Sequence, residues 1–400
     1  MIDQSQYNIG VPAEDLALYT PGGYHPVRIN DRFRHGRYEI LNKLGFGSFS
    51  TVWLARDHQN HCNVSIKVVV ANKSDAQHGE LEILDHIKAN GDPQHPGRKH
   101  IMQLMESFHH DGPNGRHLCV VSELLGPKTT TVAEKCQNHR LGSRLARRVS
   151  QQLLLAVDYL HSCGVAHGDI HMGNVLFRLS ETERSSLERI EELNTPLQGN
   201  VTRKDGASLD KGMPDYLVEP IEYYAKNKEH LDEIQLVDFG ESFFVASPPK
   251  SIYTPMSLHP PELVFRRTLS KVIDIWNLGS TTYELVIGRT PFEADFDDRE
   301  LIPQFQKVVG GVPVEWVLDA INDGVLRERP KNFSAEGFLS LEEEIKRSYS
   351  DDFDRSTLEL DEEGLQTLGR YLRKTLVVDP AHRATTKDLL RDAWVSATGV

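Results

Sequence analysis

The segment HGDIHMGN, residues 167–174, places an aspartate and an asparagine five positions apart. In phosphoryl transfer, this spacing lets the aspartate accept the proton of an acceptor hydroxyl while the asparagine binds a divalent metal ion. A second aspartate follows in LVDFGE, residues 236–241, at the end of an apolar run. We therefore predict that Asp169 is a catalytic base and that Asn174 and Asp238 are metal ligands.

A glycine-rich turn lies upstream in LGFGSFSTVW, residues 44–53. Gly45, Gly47 and Ser50 occupy its first, third and sixth positions. Glycines there let backbone amides approach triphosphate oxygens, because no side chain stands in the way. The same pattern also occurs in tight hairpins without a ligand, so the turn alone does not decide between the two.

Lys67, in VSIK, interrupts a strand that otherwise reads as buried, and a buried lysine needs a counter-charge. Glu80 begins a helical pattern whose apolar positions Ile83, Leu84 and Ile87 share one face. A pair between Lys67 and Glu80 would direct the lysine towards the α- and β-phosphates of a nucleotide. The alternative is a lysine that snorkels at a strand edge.

Three further motifs follow in order: HPPELVF with Glu262, DIWNLG with Asp274, and DPAHRAT with Arg383. We expect these side chains to hold the protein together rather than to react. Arg383 is the predicted buried ion-pair partner of Glu262.

The elements that must position these residues change in character along the chain. From Tyr38 to about Leu125 the sequence reads as strands with one helix, and helical patterns dominate after Leu141. We predict an α+β fold with a small antiparallel β lobe and a larger, mostly helical lobe.

The predicted boundaries follow from this change. Residues 1–36 form an extension packed on the domain, 37–126 the small lobe and 127–400 the large lobe. Within the large lobe, a polar insert at about 180–232 reads as a loop with a short helix near 181–193.

The 400 residues carry a formal net charge of −13, which argues against direct binding of nucleic acid or an anionic membrane and favours a basic partner. The acidic run EADFDDRE, residues 293–300, is the predicted docking surface for it. Four widely spaced cysteines form no CxxC pair, so neither a zinc site nor a disulfide framework is indicated. No membrane span or signal peptide is visible. We expect an intracellular monomer.

Together the motifs resemble the eukaryotic protein kinase fold from about Tyr38 to Trp394. Within it the sequence is similar to the SR-protein kinases, in their fungal form with a short spacer. The specific matches are EDLALYTPGGYHPV (14–27), RYEILNKLGFGSFSTVWLA (37–55) and NGRHLCVVSELLG (114–126).

This resemblance implies ATP and Mg²⁺ as cofactors and serines of Arg/Ser-rich splicing factors as substrates. It further implies regulation of mRNA splicing, constitutive activity, and a place in cytoplasm and nucleus. It assigns catalytic roles to Asp169, Lys67, Glu80 and His171. It assigns nucleotide contacts to Leu44, Gly45, Gly47, Val52, Lys67, Glu123, Leu124, Leu125 and Leu176.

Two residues of the catalytic motif depart from the usual kinase pattern. His171 replaces a lysine that steadies the transferring phosphoryl group, so we expect slower chemistry rather than none. Gly168 replaces an arginine whose charge makes many kinases depend on activation-loop phosphorylation. The corresponding loop here runs from Asp238 to Glu262. Its residues Ser251, Tyr253, Thr254 and Ser257 could accept phosphate, but nothing at position 168 would respond to it.

Two other classes remain open from the sequence. HGDIHMGN also fits small-molecule phosphotransferases that act on aminoglycosides or choline, although these generally lack the Pro260, Pro261 and Glu262 element. A weakly active pseudokinase scaffold would need a missing lysine, base or metal ligand, and all of them are present.

Overall fold

The computed structural model describes residues 6–74, 79–180, 196–221, 231–328, 340–350 and 359–396. They divide into two compact units. The first draws on Met1–Lys88, Met102–Pro127 and Arg178–His230, and the second on Ala89–Ile101, Lys128–Phe177 and Leu231–Val400. The insert therefore belongs to the first unit rather than to the large lobe in which the sequence placed it.

The described strands are numbered in chain order. They are β1 (Tyr7–Ile9), β2 (Arg32–Phe33), β3 (Tyr38–Gly47), β4 (Ser50–Asp57), β5 (Cys62–Val69), β6 (Leu104–Gly112), β7 (Gly115–Glu123), β8 (Val165–Ala166), β9 (Val175–Phe177), β10 (Gln198–Arg203), β11 (Tyr216–Val218), β12 (Ile234–Leu236) and β13 (Phe243–Phe244).

An antiparallel sheet forms the centre of the first unit. Its strand order is β2-β3-β4-β5-β7-β6. Alternate side chains turn inwards, as period-two strands require, and Ile40, Ala55, Ile66 and Val121 are each fully buried in one core. Helix α1 (Glu80–Asn90) buries Ile83, Leu84 and Ile87, the face predicted from their spacing. The predicted small antiparallel lobe with one main helix is confirmed.

The N-terminal extension and the insert pair with each other in a second sheet of the first unit. Its order is β1-β10-β11, with Tyr7 opposite Arg203 and Gln198 opposite Val218. The prediction of a loop is therefore wrong for Gln198–Arg203 and Tyr216–Val218, because β10 pairs with a strand far away in the sequence. The helix predicted near 181–193 lies outside the described residues.

Three histidines pack together inside the first unit. The ring centroid of His25 lies 4.6 Å from that of His110 and 5.1 Å from that of His117. Burial and the two neighbouring imidazoles lower the pKa of His25 to about 3, and burial also lowers the pKa of His110 and of His117. The unfolded chain therefore binds more protons than the folded protein once the pH falls below ~6.5.

We expect the free energy of unfolding to decrease as the pH falls from 7 to 5. Because the folded pKa of His25 lies below its unfolded value, its contribution is complete above pH ~6.5 and shrinks by about 1.4 kcal/mol per unit below it. Denaturant unfolding of His25→Phe should show a shallower pH slope than the wild type. His109→Phe, at an exposed position of β6, is the matched control and should keep the full slope. Equal slopes in all three proteins would contradict the burial of a neutral His25.

Helices dominate the described part of the second unit, as the sequence predicted. They are α2 (Thr129–Glu134), α3 (Ser143–Ser162), α4 (Pro261–Val264), α5 (Ile273–Ile287), α6 (Leu301–Val308), α7 (Val314–Asn322), α8 (Leu341–Ser350), α9 (Glu362–Thr375), α10 (Thr386–Leu390) and α11 (Ala393–Ser396). Helix α5 is buried at every residue but Glu284, so it forms the centre of the unit. Two short antiparallel pairs, β8 with β13 and β9 with β12, complete the unit. None of the helices in the described ranges is long and apolar enough to cross a membrane.

Helix α8 and the run EADFDDRE are two acidic segments of the second unit. Helix α8 buries Leu341, Ile345 and Tyr349 and so contributes one face to the core. In the run EADFDDRE, Asp297 pairs with Arg299, which leaves only part of this run as unpaired negative charge.

Candidate active site

The glycine-rich turn joins β3 to β4 as a hairpin, with Gly45 opposite Val52 and Gly47 opposite Ser50. A Cβ atom added to Gly45 or Gly47 would meet no atom within 4 Å among the described residues. Neither glycine has a positive φ. Neither packing nor backbone conformation therefore requires glycine here, and the open space fits the approach of a ligand such as a nucleotide phosphate.

The predicted ion pair between Lys67 and Glu80 is present. Lys67 lies on β5 opposite Val52, and its Nζ is 2.7 Å from Glu80 Oε2 at the start of α1. Only 17% of the lysine side chain and 8% of the glutamate side chain are exposed. The lysine therefore does not snorkel into solvent, and the pair presents one oriented ammonium group beside the hairpin strand β4.

Five of the residues predicted to contact the nucleotide lie in two places, four in the first unit and one in the second. Glu123 ends β7, and Leu124 and Leu125, which follow it, are both buried. Leu44, before the glycine-rich turn, packs against a cluster that includes Leu54 and Leu124. The fifth, Leu176, lies in β9 of the second unit and forms a bridge with Lys128. Their roles in nucleotide binding stay predictions.

Asp169 and Asn174 are in direct contact. Asn174 Nδ2 donates to the carbonyl oxygen and to Oδ2 of Asp169, at 3.0 Å each. The amide oxygen of Asn174 takes no part in this contact. The other carboxylate oxygen, Asp169 Oδ1, is buried and has no hydrogen-bond partner within the part of the chain that the structure describes. An orphaned buried carboxylate oxygen fits a site built to receive a proton or a bound group.

Strand pairing brings Asp238 next to this pair. Val175 of β9 is opposite Leu236 of β12, and the amide of Val237 donates to the carbonyl of Asn174 at 2.9 Å. Asp238 adopts a φ of 65°, which is uncommon for a residue with a side chain and occurs at functional sites. The second unit therefore gathers the predicted base and both predicted metal ligands, and these donors suit Mg²⁺.

Asp274 fixes the backbone that carries the base. Its carboxylate accepts hydrogen bonds from the amides of His167 and Gly168, both at 2.9 Å, and contacts His161 Nε2 at 2.9 Å. The predicted structural role of Asp274 is confirmed.

The buried ion pair predicted between Glu262 and Arg383 is also present. Two parallel hydrogen bonds of 2.6 Å join the guanidinium to the carboxylate, and both side chains are almost fully buried. Such a bidentate pair fixes α4 to the segment after α9.

His171 is oriented by its own loop. Its Nδ1 accepts a hydrogen bond from the amide of Gly173 at 3.0 Å, so the neutral ring carries its proton on Nε2. That nitrogen lies 3.5 Å from Asp169 Oδ2. Burial alone would raise the pKa of Asp169, but hydrogen bonding and charge from His171, among other groups, bring it below the usual value. Asp169 is therefore ionised near neutral pH, as a base requires.

Glycine is needed at position 168 for a structural reason that the sequence does not reveal. Its φ is 83°, and an added Cβ would lie 2.5 Å from the carbonyl oxygen of Glu241. The sequence indicated only a missing arginine charge, whereas the backbone here accepts no side chain without a shift.

Thr254 lies near Asp169, although the sequence indicates it only as a phosphate acceptor. It lowers the pKa of the Asp169 carboxyl. Its position 85 residues after Asp169 gives no local spacing signal that would have predicted this proximity.

Comparison with known proteins agrees with this geometry. A family model described as "Protein kinase domain" matches residues 38–188 and 224–395. Protein kinase dsk1 of Schizosaccharomyces pombe is 37% identical over 194 residues, which cover 48% of this chain and 36% of that protein. The serine/threonine-protein kinase SRPK of Physarum polycephalum is 24% identical over 94% of this chain and 90% of its own length.

A solved structure shares the fold. The crystal structure of a kinase domain matches with a TM-score of 0.63 at 17% identity, over 92% of this chain and 98% of the other.

Proposed function

This chain belongs to the protein kinase family, and we propose that it transfers the γ-phosphate of ATP to serines of Arg/Ser-rich proteins. The observation that supports this most is the contact of Asp169 with Asn174 beside Asp238. One carboxylate oxygen of Asp169 has no hydrogen-bond partner among the described residues. The similarity to the SR-protein kinases, read from the sequence, is confirmed by relatives such as SRPK. It supports the choice of Arg/Ser-rich substrates.

Under this proposal, each polar group described in the two units has a role. Asp169 accepts the proton of the substrate serine, and His171 Nε2 orients that carboxylate. Lys67, held by Glu80, binds the α- and β-phosphates. Asn174 and Asp238 would hold Mg²⁺, which neutralises the charge of the phosphates when it is bound.

A basic substrate agrees with the charge of the protein. The chain carries a net charge of −13. In the acidic run EADFDDRE, Glu293 and Asp295 are exposed, while Asp297 and Asp298 are engaged with Arg299 and His259. Arginine side chains of a substrate would complement such a surface, and the attraction would weaken with salt.

The alternative classes receive less support. A pseudokinase scaffold would lack part of the machinery, but the lysine, its glutamate and the residues proposed as base and metal ligands are all present in the chain. For a small-molecule phosphotransferase, Pro260 and Pro261 would be unusual, and the matched relatives are named as protein kinases.

The proposal is tested by incubating the chain with ATP, Mg²⁺ and one of two acceptors, an Arg/Ser-repeat peptide or a panel of aminoglycosides and choline. Mass spectrometry should find phosphate on peptide serines and on none of the small molecules. Phosphorylated small molecules with an unmodified peptide would overturn it.

We further expect His171→Lys to keep or raise kcat, and His171→Leu to lower it about ten- to a hundredfold with little change in the KM for ATP. Leucine removes the polar hydrogen that faces Asp169, a contact to a charged group that contributes about 1.5–3 kcal/mol, whereas lysine supplies a new donor there. Steady-state kinetics on both variants measures this. Loss of activity in His171→Lys would show instead that the imidazole has a dedicated role.

A further inference from the structure

The N-terminal segment EDLALYTPGGYHPV, residues 14–27, contacts the glycine-rich hairpin of its own unit. The hydroxyl of Tyr24 donates a hydrogen bond of 2.6 Å to the carbonyl oxygen of Gly47. Gly47 is the last residue of β3 and lies directly at the turn. A residue outside the kinase motifs thus reaches the part of the hairpin that is assigned to the nucleotide phosphates.

The backbone before Tyr24 forms a sharp turn that fixes the position of this tyrosine. Gly22 has a φ of 87°, and a Cβ added to Gly23 would lie 1.8 Å from the carbonyl oxygen of Leu18. The carbonyl of Gly23 accepts from the amide of Ala71, just beyond β5, at 3.1 Å. The two glycines of GGY are therefore required for the sharp turn that delivers Tyr24.

Other contacts fix both the side chain and the backbone of Tyr24. It is 2% exposed and belongs to a buried cluster with Tyr19, Val70 and residues of the insert such as Val201 and Leu217. Asn114 Nδ2 donates to its carbonyl oxygen at 2.7 Å. Since burial raises the pKa of Tyr24 to about 12, the hydroxyl keeps its proton and stays a donor at working pH.

A second contact joins the same segment to β3. Lys43, four residues before Gly47, is fully buried and forms an ion pair with Glu14, which also accepts a hydrogen bond from Tyr19. The segment thus contacts β3 on both sides of Gly45, through an ion pair at Lys43 and a hydrogen bond at Gly47. Because Gly45 and Gly47 have open space around them, packing at the glycines themselves does not set the position of the turn.

We propose that this N-terminal segment positions the glycine-rich hairpin, and that Tyr24 is the residue that holds Gly47 where the hairpin covers the phosphates of ATP. The inference rests on the proposed function, because it takes ATP as the ligand of the hairpin. Tyr24 acts through Gly47 and is a positioning residue.

Tyr24→Phe is the test, because it removes one hydroxyl and keeps the buried ring. Removing Glu14 or Lys43 would instead leave an unpaired buried charge and endanger the fold. Tyr216→Phe is the matched control. It lies in the same unit, and its hydroxyl accepts a hydrogen bond from the amide of Ile29 at 2.9 Å.

Three readouts separate positioning from general damage. Tyr24→Phe should raise the KM for ATP and the calorimetric Kd for MgATP about fivefold, the usual effect of one neutral hydrogen bond, with kcat within about twofold. In the protein without nucleotide, amide hydrogen exchange should increase at residues 44–50. Tyr216→Phe should change none of the three.

A wild-type Kd and wild-type exchange in Tyr24→Phe would overturn the positioning role. Equal changes in both variants would also overturn it, because they would indicate loosening of the whole unit. If the wild-type protein binds no MgATP, the proposed function fails, whereas the exchange comparison still decides whether Tyr24 restrains the hairpin.

Discussion

Asp169→Asn should lower kcat about a thousandfold while leaving thermal unfolding nearly unchanged, and Asp238→Asn should have a comparable effect. Asparagine has almost the same shape as aspartate but cannot accept the serine proton, and positioned general bases contribute about 10²–10⁴ in rate. At position 238 the substitution removes the charge that would hold the metal ion. Steady-state phosphorylation of an Arg/Ser-repeat peptide and a thermal melt provide the two measurements.

Asp232→Asn is the matched control for both. Asp232 precedes β12 and is exposed, so its loss should leave kcat unchanged. Turnover near the wild-type value in Asp169→Asn or Asp238→Asn would remove these residues from the mechanism.

Gly168→Arg should lower kcat at least about a hundredfold, and phosphorylation of the activation loop should not restore it. The arginine Cβ would lie 2.5 Å from the carbonyl oxygen of Glu241 at a φ of 83°, so the backbone must move. Asp169 is the next residue, and displacing a catalytic group by about 1 Å costs about a hundredfold. The expected result follows from geometry, not from the added charge.

Gly164→Arg isolates the steric part of this effect. Its φ of 71° is also left-handed, but an added Cβ there meets no described atom within 4 Å. This variant should lose only about 1 kcal/mol of stability and keep its kcat. Full activity in Gly168→Arg, or activity that appears only after loop phosphorylation, would contradict the geometric role of Gly168.

Contacts within motifs of fixed spacing could be predicted from the sequence. Lys67 is predicted to have a partner because it is a lysine in an otherwise apolar strand, and Glu80 is the glutamate beside the apolar face of the following helix. The pair of Glu262 and Arg383 is predicted from the two motifs HPPELVF and DPAHRAT. A buried charge demands a partner, so the sequence itself indicates that one exists.

Contacts between distant, weakly patterned segments could not be predicted. Strand β1 has three residues and pairs with β10 almost two hundred positions later, and neither shows a long alternating pattern. The hydrogen bond from Tyr24 to Gly47 and the positive φ of Gly168 are likewise set by tertiary structure, and residue type alone does not reveal them. These are the places where the structure adds to the sequence.

Phosphate transfer from ATP to an Arg/Ser-repeat peptide, by protein whose activation loop is shown to be unphosphorylated, is the most direct test of function. We expect phosphoserine that depends on Mg²⁺, with a kcat/KM that falls steeply when the arginines are replaced by glutamates and when salt is raised. An unmodified peptide in the presence of a folded chain that binds MgATP, or equal rates on the arginine and glutamate peptides, would contradict a kinase of Arg/Ser-rich proteins.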